Sequence, residues 1–472
     1  MVQLECKSVN NSIQQRKSKI VLVQKGDYMS KYEDIIDFIN SEIENKIILH
    51  GQRMPTIRDL SEKFKCSKQT VVHAYEKLQL EHIVYSIPQS GYYLVDKKEL
   101  HKDKLNKIID FSSGSPDESI LPYEEFQHCL NQAIEIYKAT LFNYSSPKGL
   151  TGLTETLKVY FEDYQIFCNS EDIYITSGSQ QAINILCSMP FPNGKINVLV
   201  EQPTYHGTLK ALETTKTPVI GIERKFNGLD FEELERKFAH DNIKCFYTMP
   251  RFSNPLGLSY SNDDKMQIIK LAEKYDVYII EDDYLGELEL KNNVYPMYYS
   301  DISSRIAYIK SFSKTLLPGL RIAAVVLPKT LRNTFEEYKR WMDLNTSVLS
   351  QGALEIYIKS GMFKANKKRL KKIYSERMNT LKEVSSEIEI ADIKWHIPDT
   401  GFYACIEFLN KIDINWLTKE CEKKDILINT MHDYYLKDYF NNDILKISVG
   451  NCEISDIKSG VRDILKLISN LY

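Results

Sequence analysis

The stretch Ser311-Phe312-Ser313-Lys314-Thr315-Leu316-Leu317-Pro318-Gly319-Leu320-Arg321 decides how most of this chain folds. It closes the apolar run 306–311 and precedes a second run, 323–327, so one lysine sits on a turn between two β-type segments. Pro318-Gly319 suits that turn, since proline presets φ and glycine frees the backbone. Upstream, β-type runs recur at 173–175, 196–200, 245–248 and 277–281, with helical stretches between them. Several are apolar at nearly every position, as parallel strands covered on both faces require. The alternation predicts a large α/β domain. Beyond Trp341 come long Lys-rich helical stretches. A region at 393–472 then mixes strands (401–408, 445–449) with helices, reading as a smaller α+β lobe that spans about 345–472.

The polar residues of this domain gather just after its strands, where open α/β sheets bind their ligands. A lysine that forms a Schiff base needs an aldehyde cofactor held against it, an acid at the ring nitrogen and an anchor for a phosphate. Pyridoxal 5'-phosphate is such a group, and each element has a candidate. Ser177-Gly178-Ser179-Gln180 follows 173–175 and opens a helix, so its backbone N–H groups, with the Ser179 hydroxyl, make a phosphate cradle. Asp282 ends the run 277–281 and can keep a pyridine nitrogen protonated. Tyr284 and Asn254 can hydrogen-bond a ring hydroxyl, and Tyr205 can lie over the ring face. Ser311 and Arg321 bracket Lys314 and complete the phosphate clamp, Arg321 by a charge-assisted contact.

The first hundred residues read differently. Ile35, Ile36, Ile39 and Ile43 recur at helical spacing between acidic residues, which predicts an amphipathic helix. Met54-Pro55-Thr56 stops the chain and offers Thr56 as the cap of a second helix, 57–64; Cys66-Ser67 makes the next break, with Ser67 capping Lys68–Leu80. Two short helices across so tight a turn form a helix-turn-helix. The runs 83–85 and 92–95, joined through Pro88-Gln89-Ser90-Gly91, form a hairpin, or wing. Lys68, Gln69, Thr70 and His73 project from the first turns of the second helix of the pair, where side chains reach base edges or phosphates in a major groove. Arg58 is placed for a backbone phosphate.

The string 32–95 resembles the winged helix-turn-helix of GntR-type bacterial regulators, through Gly51-Gln52-Arg53-Met54-Pro55-Thr56-Ile57-Arg58-Asp59-Leu60, Ser67-Lys68-Gln69-Thr70-Val71, Ala74-Tyr75-Glu76-Lys77-Leu78 and the wing Gln89-Ser90-Gly91. From about Asp110 onward the chain resembles fold-type I aminotransferases. The strings that carry this are 111–117, Tyr144-Ser145-Ser146-Pro147-Lys148-Gly149, Asn254-Pro255-Leu256-Gly257, Ser313-Lys314-Thr315-Leu316 and Pro318-Gly319-Leu320-Arg321. By that resemblance Lys314 is the Schiff-base lysine, Asp282 the pyridine partner, and Tyr144 reaches the neighbouring subunit's phosphate. The joined architecture resembles the MocR subfamily of GntR regulators, which implies an aminotransferase-like effector sensor and a head-to-tail homodimer. Two positions depart from the pattern. Leu445-Lys446-Ile447 stands where an Arg usually grips a substrate carboxylate, and lysine lacks the planar two-point fork. Gly149-Leu150-Thr151-Gly152-Leu153 is followed by Thr154 rather than Arg. Lys446 and His206 are the candidates for contact with an effector.

Composition bounds the partners. A net charge of -3 carries no global basic signature, and Lys plus Arg do not outnumber Asp plus Glu in 32–95, so each DNA-reading domain is expected to bind modestly and to rely on a dimer. Nine cysteines without metal-ligand spacing imply reduced thiols and no metal site. No apolar run is long enough to span a membrane, and residues 1–27 lack a signal-peptide core. The expected organisation is a flexible basic arm (1–27), a winged helix-turn-helix (28–95), a linker (96–109) and an aminotransferase-like domain (110–472) in a cytoplasmic protein. The expected function is a regulator that binds a double-stranded DNA operator and senses an amine, an amino acid or pyridoxal phosphate itself. A working aminotransferase with an appended DNA-binding domain is the alternative.

Overall fold

The computed structural model describes residues 31–45, 47–48, 52–80, 83–87, 91–94, 108–291, 293–440 and 443–470. The arm 1–27, nearly all of the linker 96–109, and Gln89 and Ser90 of the wing lie outside the described residues. Contacts divide the chain into two units, Met1–Leu105 and Asn106–Tyr472.

In the first unit the helices Lys31–Glu44, Ile57–Lys63 and Lys68–Leu80 precede the strands Val84–Ile87 and Gly91–Leu94. Ile35 and Ile39 of the first helix meet Val71, Ala74, Tyr75 and Leu78 of the third in a fully buried core. The isoleucine spacing that predicts the first helix is thus the face it buries. Thr56 caps the second helix through a capping box with Asp59. That pair of bonds satisfies two backbone donors and stabilises the helix by about 1 kcal/mol. The hairpin is antiparallel, with Val84 opposite Leu94 and Ile87 opposite Gly91. Sequence patterning missed an isolated bridge that runs beside this hairpin. Met54 N–H donates to Tyr92 O at 2.8 Å and Leu94 N–H to Gln52 O at 2.9 Å, while Arg53 bridges Tyr93. Three residues are too few to carry a period-2 signal, so only the pairing reveals them.

The second unit is built on one twisted sheet in the order Ile173–Thr176, Ala323–Val326, Ile306–Ser311, Tyr278–Asp283, Ile243–Thr248, Asn197–Gln202, Val219–Lys225 and Gly228–Leu229. The five from Ile306–Ser311 to Val219–Lys225 run parallel to one another; Ala323–Val326 runs antiparallel to both of its neighbours, and Gly228–Leu229 antiparallel to Val219–Lys225. Apolar clusters cover the sheet on both faces, which is why its strands read as apolar runs. Val219–Lys225 is the strand that the sequence reading did not include, and it ends in the charged alternation Glu223-Arg224-Lys225.

A second, antiparallel sheet orders Ile393–His396, Tyr403–Phe408 and Ile444–Ser448. The helices Met362–Ser385 and Ile454–Ser469 cover it through Met378, Leu381, Ile457, Val461 and Ile464. The lobes part later than residue 345: Val348, Ala353, Leu354 and Tyr357 of the helix Val348–Lys359 pack into the large lobe with Leu153 and Ile173. The start of the unit belongs to the small lobe. Ile109–Asp110 pairs in parallel with Ile426–Leu427, and Ser448 N–H donates to Phe111 O at 2.9 Å.

Candidate functional site

The polar set assembles at the carboxyl ends of the parallel strands. Asp282 sits on Tyr278–Asp283 with 2% of its surface exposed. Its Oδ2 accepts a hydrogen bond from Tyr247 at 2.7 Å, while the buried Oδ1 has no partner among the described residues. Burial raises this carboxyl to about 6, and the adjacent Asp283 adds to the rise. Asp283 shows the opposite outcome. Burial pushes it up, but the Arg251 guanidinium and then Lys310 hold it at about 2. The sheet therefore splits two neighbouring aspartates: Asp283 joins a closed ion network with Arg251, Tyr308 and Lys310, and Asp282 keeps one oxygen for a ligand.

Lys314 follows Ile306–Ser311, as the sequence predicts, and its Nζ donates to Gly114 O at 2.6 Å. Burial, reinforced by Arg321, lowers its amine from 10.5 to about 8. At pH 7 about one molecule in ten then carries the neutral, nucleophilic amine. Arg321 adopts a left-handed conformation, and its guanidinium closes over Gly178: a Cβ added there would stand 2.6 Å from Nη2. Gly178, with φ +79°, caps the helix Ser179–Ser188. The cradle thus joins the first N–H groups of a ten-residue helix, the Ser179 hydroxyl and the Arg321 cation, as an anion requires. Ser311 is buried beside it, with Oγ accepting from Ser313 N–H at 3.4 Å.

Two candidates, Gln180 and Tyr284, are engaged in bonds that the sequence reading did not foresee. Gln180 donates from Nε2 to Gly207 O at 2.7 Å, so it fixes the turn that presents Tyr205 rather than facing the cradle. Tyr284 spends its proton on Phe252 O at 2.6 Å and can offer a ring hydroxyl only an acceptor. Asn254 keeps a buried Oδ1 without a partner among the described residues, so its amide remains available. Tyr205 feels the Asp282 charge, which places it in the same pocket; burial is the larger cause of its raised pKa. Tyr144 is 89% exposed and serves nothing in its own chain's pocket.

Lys446, on Ile444–Ser448, is 1% exposed. Its ammonium donates to the Tyr434 hydroxyl at 2.6 Å and stands 4.9 Å and 4.7 Å from the ring centres of Tyr403 and Tyr434. Burial lowers it to about 8; Cys405 pulls upward and Lys314 pushes down again. His206 packs edge-on against Tyr205 and Tyr434 at 4.9 Å and 5.4 Å, and burial, then Lys446, lowers its pKa. Tyr403 and Tyr434, and Tyr247 behind Asp282, escaped the sequence reading. A polar ring on an otherwise apolar strand, as at Tyr247, is the signal that could have found it.

On the first unit, Ser67 and Thr70 use their hydroxyls on each other at 2.9 Å, and Ser67 also accepts from Thr70 N–H at 3.1 Å. They start the helix, leaving Lys68, Gln69 and His73 exposed on it. Arg58 is exposed and pairs with Glu62 at 2.9 Å.

These two sites define a class. The model of aminotransferase class I and II matches residues 106–464, and that of bacterial regulatory proteins of the gntR family matches 31–94. The chain belongs to the aminotransferase class I and II family and carries it behind a GntR helix-turn-helix, the MocR-type architecture. It is 41% identical over 439 residues to the HTH-type transcriptional regulator YcxD of Bacillus subtilis, covering 92% of this chain and 99% of that one. The HTH-type transcriptional regulator YdcR of Escherichia coli is 26% identical, over 83% and 89%. Among solved structures, the kynurenine aminotransferase of Pyrococcus horikoshii, in complex with PMP, superposes with a TM-score of 0.72 at 27% identity, over 78% and 92%.

The fold implies pyridoxal phosphate, and the residues present fit it. The orphaned Asp282 oxygen, the free Asn254 amide, the glycine-floored cradle and the lysine with a lowered pKa match the ring nitrogen, ring hydroxyl, phosphate and aldehyde. When bound, the group supplies an electrophilic carbon that captures amines. Asp282 would hold the proton on its nitrogen, Arg321 and the helix start would bind its phosphate, and Lys314 would carry it.

Proposed function

We propose that this protein is a DNA-binding transcription regulator whose aminotransferase-like unit reports an amino compound, or pyridoxal phosphate itself, to a promoter. The observation that carries the reading is the coexistence in one chain of the GntR helix-turn-helix and a complete pyridoxal-phosphate pocket. The 41% identity to a relative named as a transcriptional regulator supports it over the aminotransferase alternative. Lys446 in place of the two-point Arg supports the same choice, because a single buried ammonium orients a substrate carboxylate less firmly. An effector enters between Lys314 and Lys446, against Tyr205 and His206, and changes the packing of the lobes and hence DNA affinity. The working unit in this reading is a head-to-tail homodimer in the cytoplasm, with Tyr144 donated to the partner's phosphate. The 89% exposure of Tyr144 supports that role.

The test is selection of duplexes from a random-sequence pool by the full-length protein. It is run with and without pyridoxal phosphate and a panel of amines and amino acids. Enrichment of one sequence, with an affinity that moves with the cofactor or with one panel member, is the expected result. No enrichment under any condition sinks the regulator reading. Steady turnover of an amino acid with a keto acid establishes the alternative.

A further inference from the structure

Three cations of the first unit line one hollow. Arg53, Arg58 and Lys68 share a concavity of about 390 Å³ with Thr56, Gly91 and Tyr92, and no carboxylate among the described residues lines it. Arg58 and Lys68 are the candidates already read from the helix-turn-helix. Arg53 is not, because it precedes both helices.

The backbone brings it there. Residues 52–54 bridge to the wing strand Gly91–Leu94, held by Met54 N–H to Tyr92 O and Leu94 N–H to Gln52 O. That pairing lays the Arg53 guanidinium against Gly91, where a Cβ would lie 3.4 Å from both Nε and Nη2. Gly91 has φ +112°, a conformation that only glycine adopts freely, so the position needs glycine for its backbone and for the arginine beside it. The stack of Tyr92 on Tyr75, with ring centres 4.2 Å apart, ties the same wing strand to the third helix. Among the described residues Arg58 is held by its exposed pair with Glu62, a weak, solvent-screened interaction readily exchanged for a stronger anion.

We propose that Arg53, together with Arg58 and Lys68, clamps one backbone phosphate of duplex DNA, which makes Arg53 a sequence-independent contact aimed by the wing. The inference rests on the DNA-binding reading of this unit. Its contribution is electrostatic and involves displaced counterions, so its signature is salt dependence rather than sequence preference.

The experiment measures binding of the full-length protein to a fluorescent mixed-sequence duplex of about 30 base pairs, by anisotropy, between about 50 and 300 mM KCl. Arg53→Gln weakens binding about tenfold near 100 mM salt and flattens the slope of log K against log salt by about one unit per bound domain. Arg53→Lys keeps the slope, and Arg58→Gln lowers it like Arg53→Gln. Thermal unfolding of each variant checks that the wing unit is folded. A weaker Arg53→Gln complex with an unchanged slope makes Arg53 a brace for the wing and overturns the proposal, as does an unchanged affinity. If the wild-type protein binds no duplex at any salt, the DNA-binding reading falls, and this inference with it.

Discussion

The two ends of the pocket in the second unit are built on opposite principles. At the cofactor end, buried polar atoms are left open: Asp282 Oδ1 and Asn254 Oδ1 have no partner among the described residues. At the effector end they are closed on one another, with Lys446 bonded to Tyr434 and enclosed by two tyrosine rings. An open buried acceptor costs about 1–3 kcal/mol that a ligand recovers on binding. A closed contact must be broken before a ligand gains anything. The open end therefore favours tight, lasting occupancy, and the closed end favours weak, selective and reversible occupancy, as the proposed sensor would require.

The sharpest way to break this comparison is Lys314→Ala. The visible absorption that develops when pyridoxal phosphate is added to the wild-type protein is expected to vanish, while the phosphate cradle still holds the cofactor non-covalently. A variant that keeps the band places the attachment elsewhere. Asp282→Asn tests the open acceptor itself. Cofactor affinity should fall about ten- to a hundredfold, the value of a charged hydrogen bond, without loss of stability in the cofactor-free protein. The sign follows from linkage: the folded pKa of about 6 lies above the ordinary 3.8, so the stability Asp282 contributes is present below 3.8 and lost as pH rises through 6. At neutral pH the wild-type carboxylate is a burden that asparagine removes. A drop in melting temperature would contradict this account.

The pH dependence of cofactor attachment is the next measure. With Lys314 lowered to about 8, the rate should climb about tenfold per pH unit below that value and level off above it. A climb that continues toward pH 10 would mean that the amine is not lowered. The smallest effect concerns the closed end. Lys446→Met should stabilise the fold by about 1–2 kcal/mol at pH 7, since it removes a buried ammonium without an acidic partner, and should abolish any response to carboxylate-bearing effectors. Lys446 is lowered from 10.5 to about 8, so its stability contribution is present above 10.5 and lost as pH falls through 8. The gain in Lys446→Met should accordingly shrink as pH rises across that window. Thermal unfolding at several pH values reads it directly.

The same contrast explains what the sequence could show. Residues whose work is local were legible: Thr56 caps its own helix, Gly178 opens the helix behind it, and Lys314 follows its strand. The apolar parallel strands were legible because burial on both faces leaves a continuous run. Partnerships across the chain were not. Tyr247 meets Asp282 from 35 residues away, and Arg224 in the overlooked strand pairs with Glu201 at 3.0 Å, both almost fully buried. Charged residues in a strand read as surface unless the partner is known. The partners of Gln180 and Tyr284 were not legible either, because their bonds to backbone carbonyls depend on loops that no local pattern specifies.

One connection in the small lobe has a mechanical consequence. Lys446 lies two residues before Ser448, whose N–H holds Phe111 O, while Cys452 Sγ lies 3.4 Å from Asp110 O. Residues 110–111 are therefore geared to the very strand that carries the buried ammonium. A shift of the strand that displaces Lys446 from Tyr434 is also a shift of residues 110–111, with no relay in between.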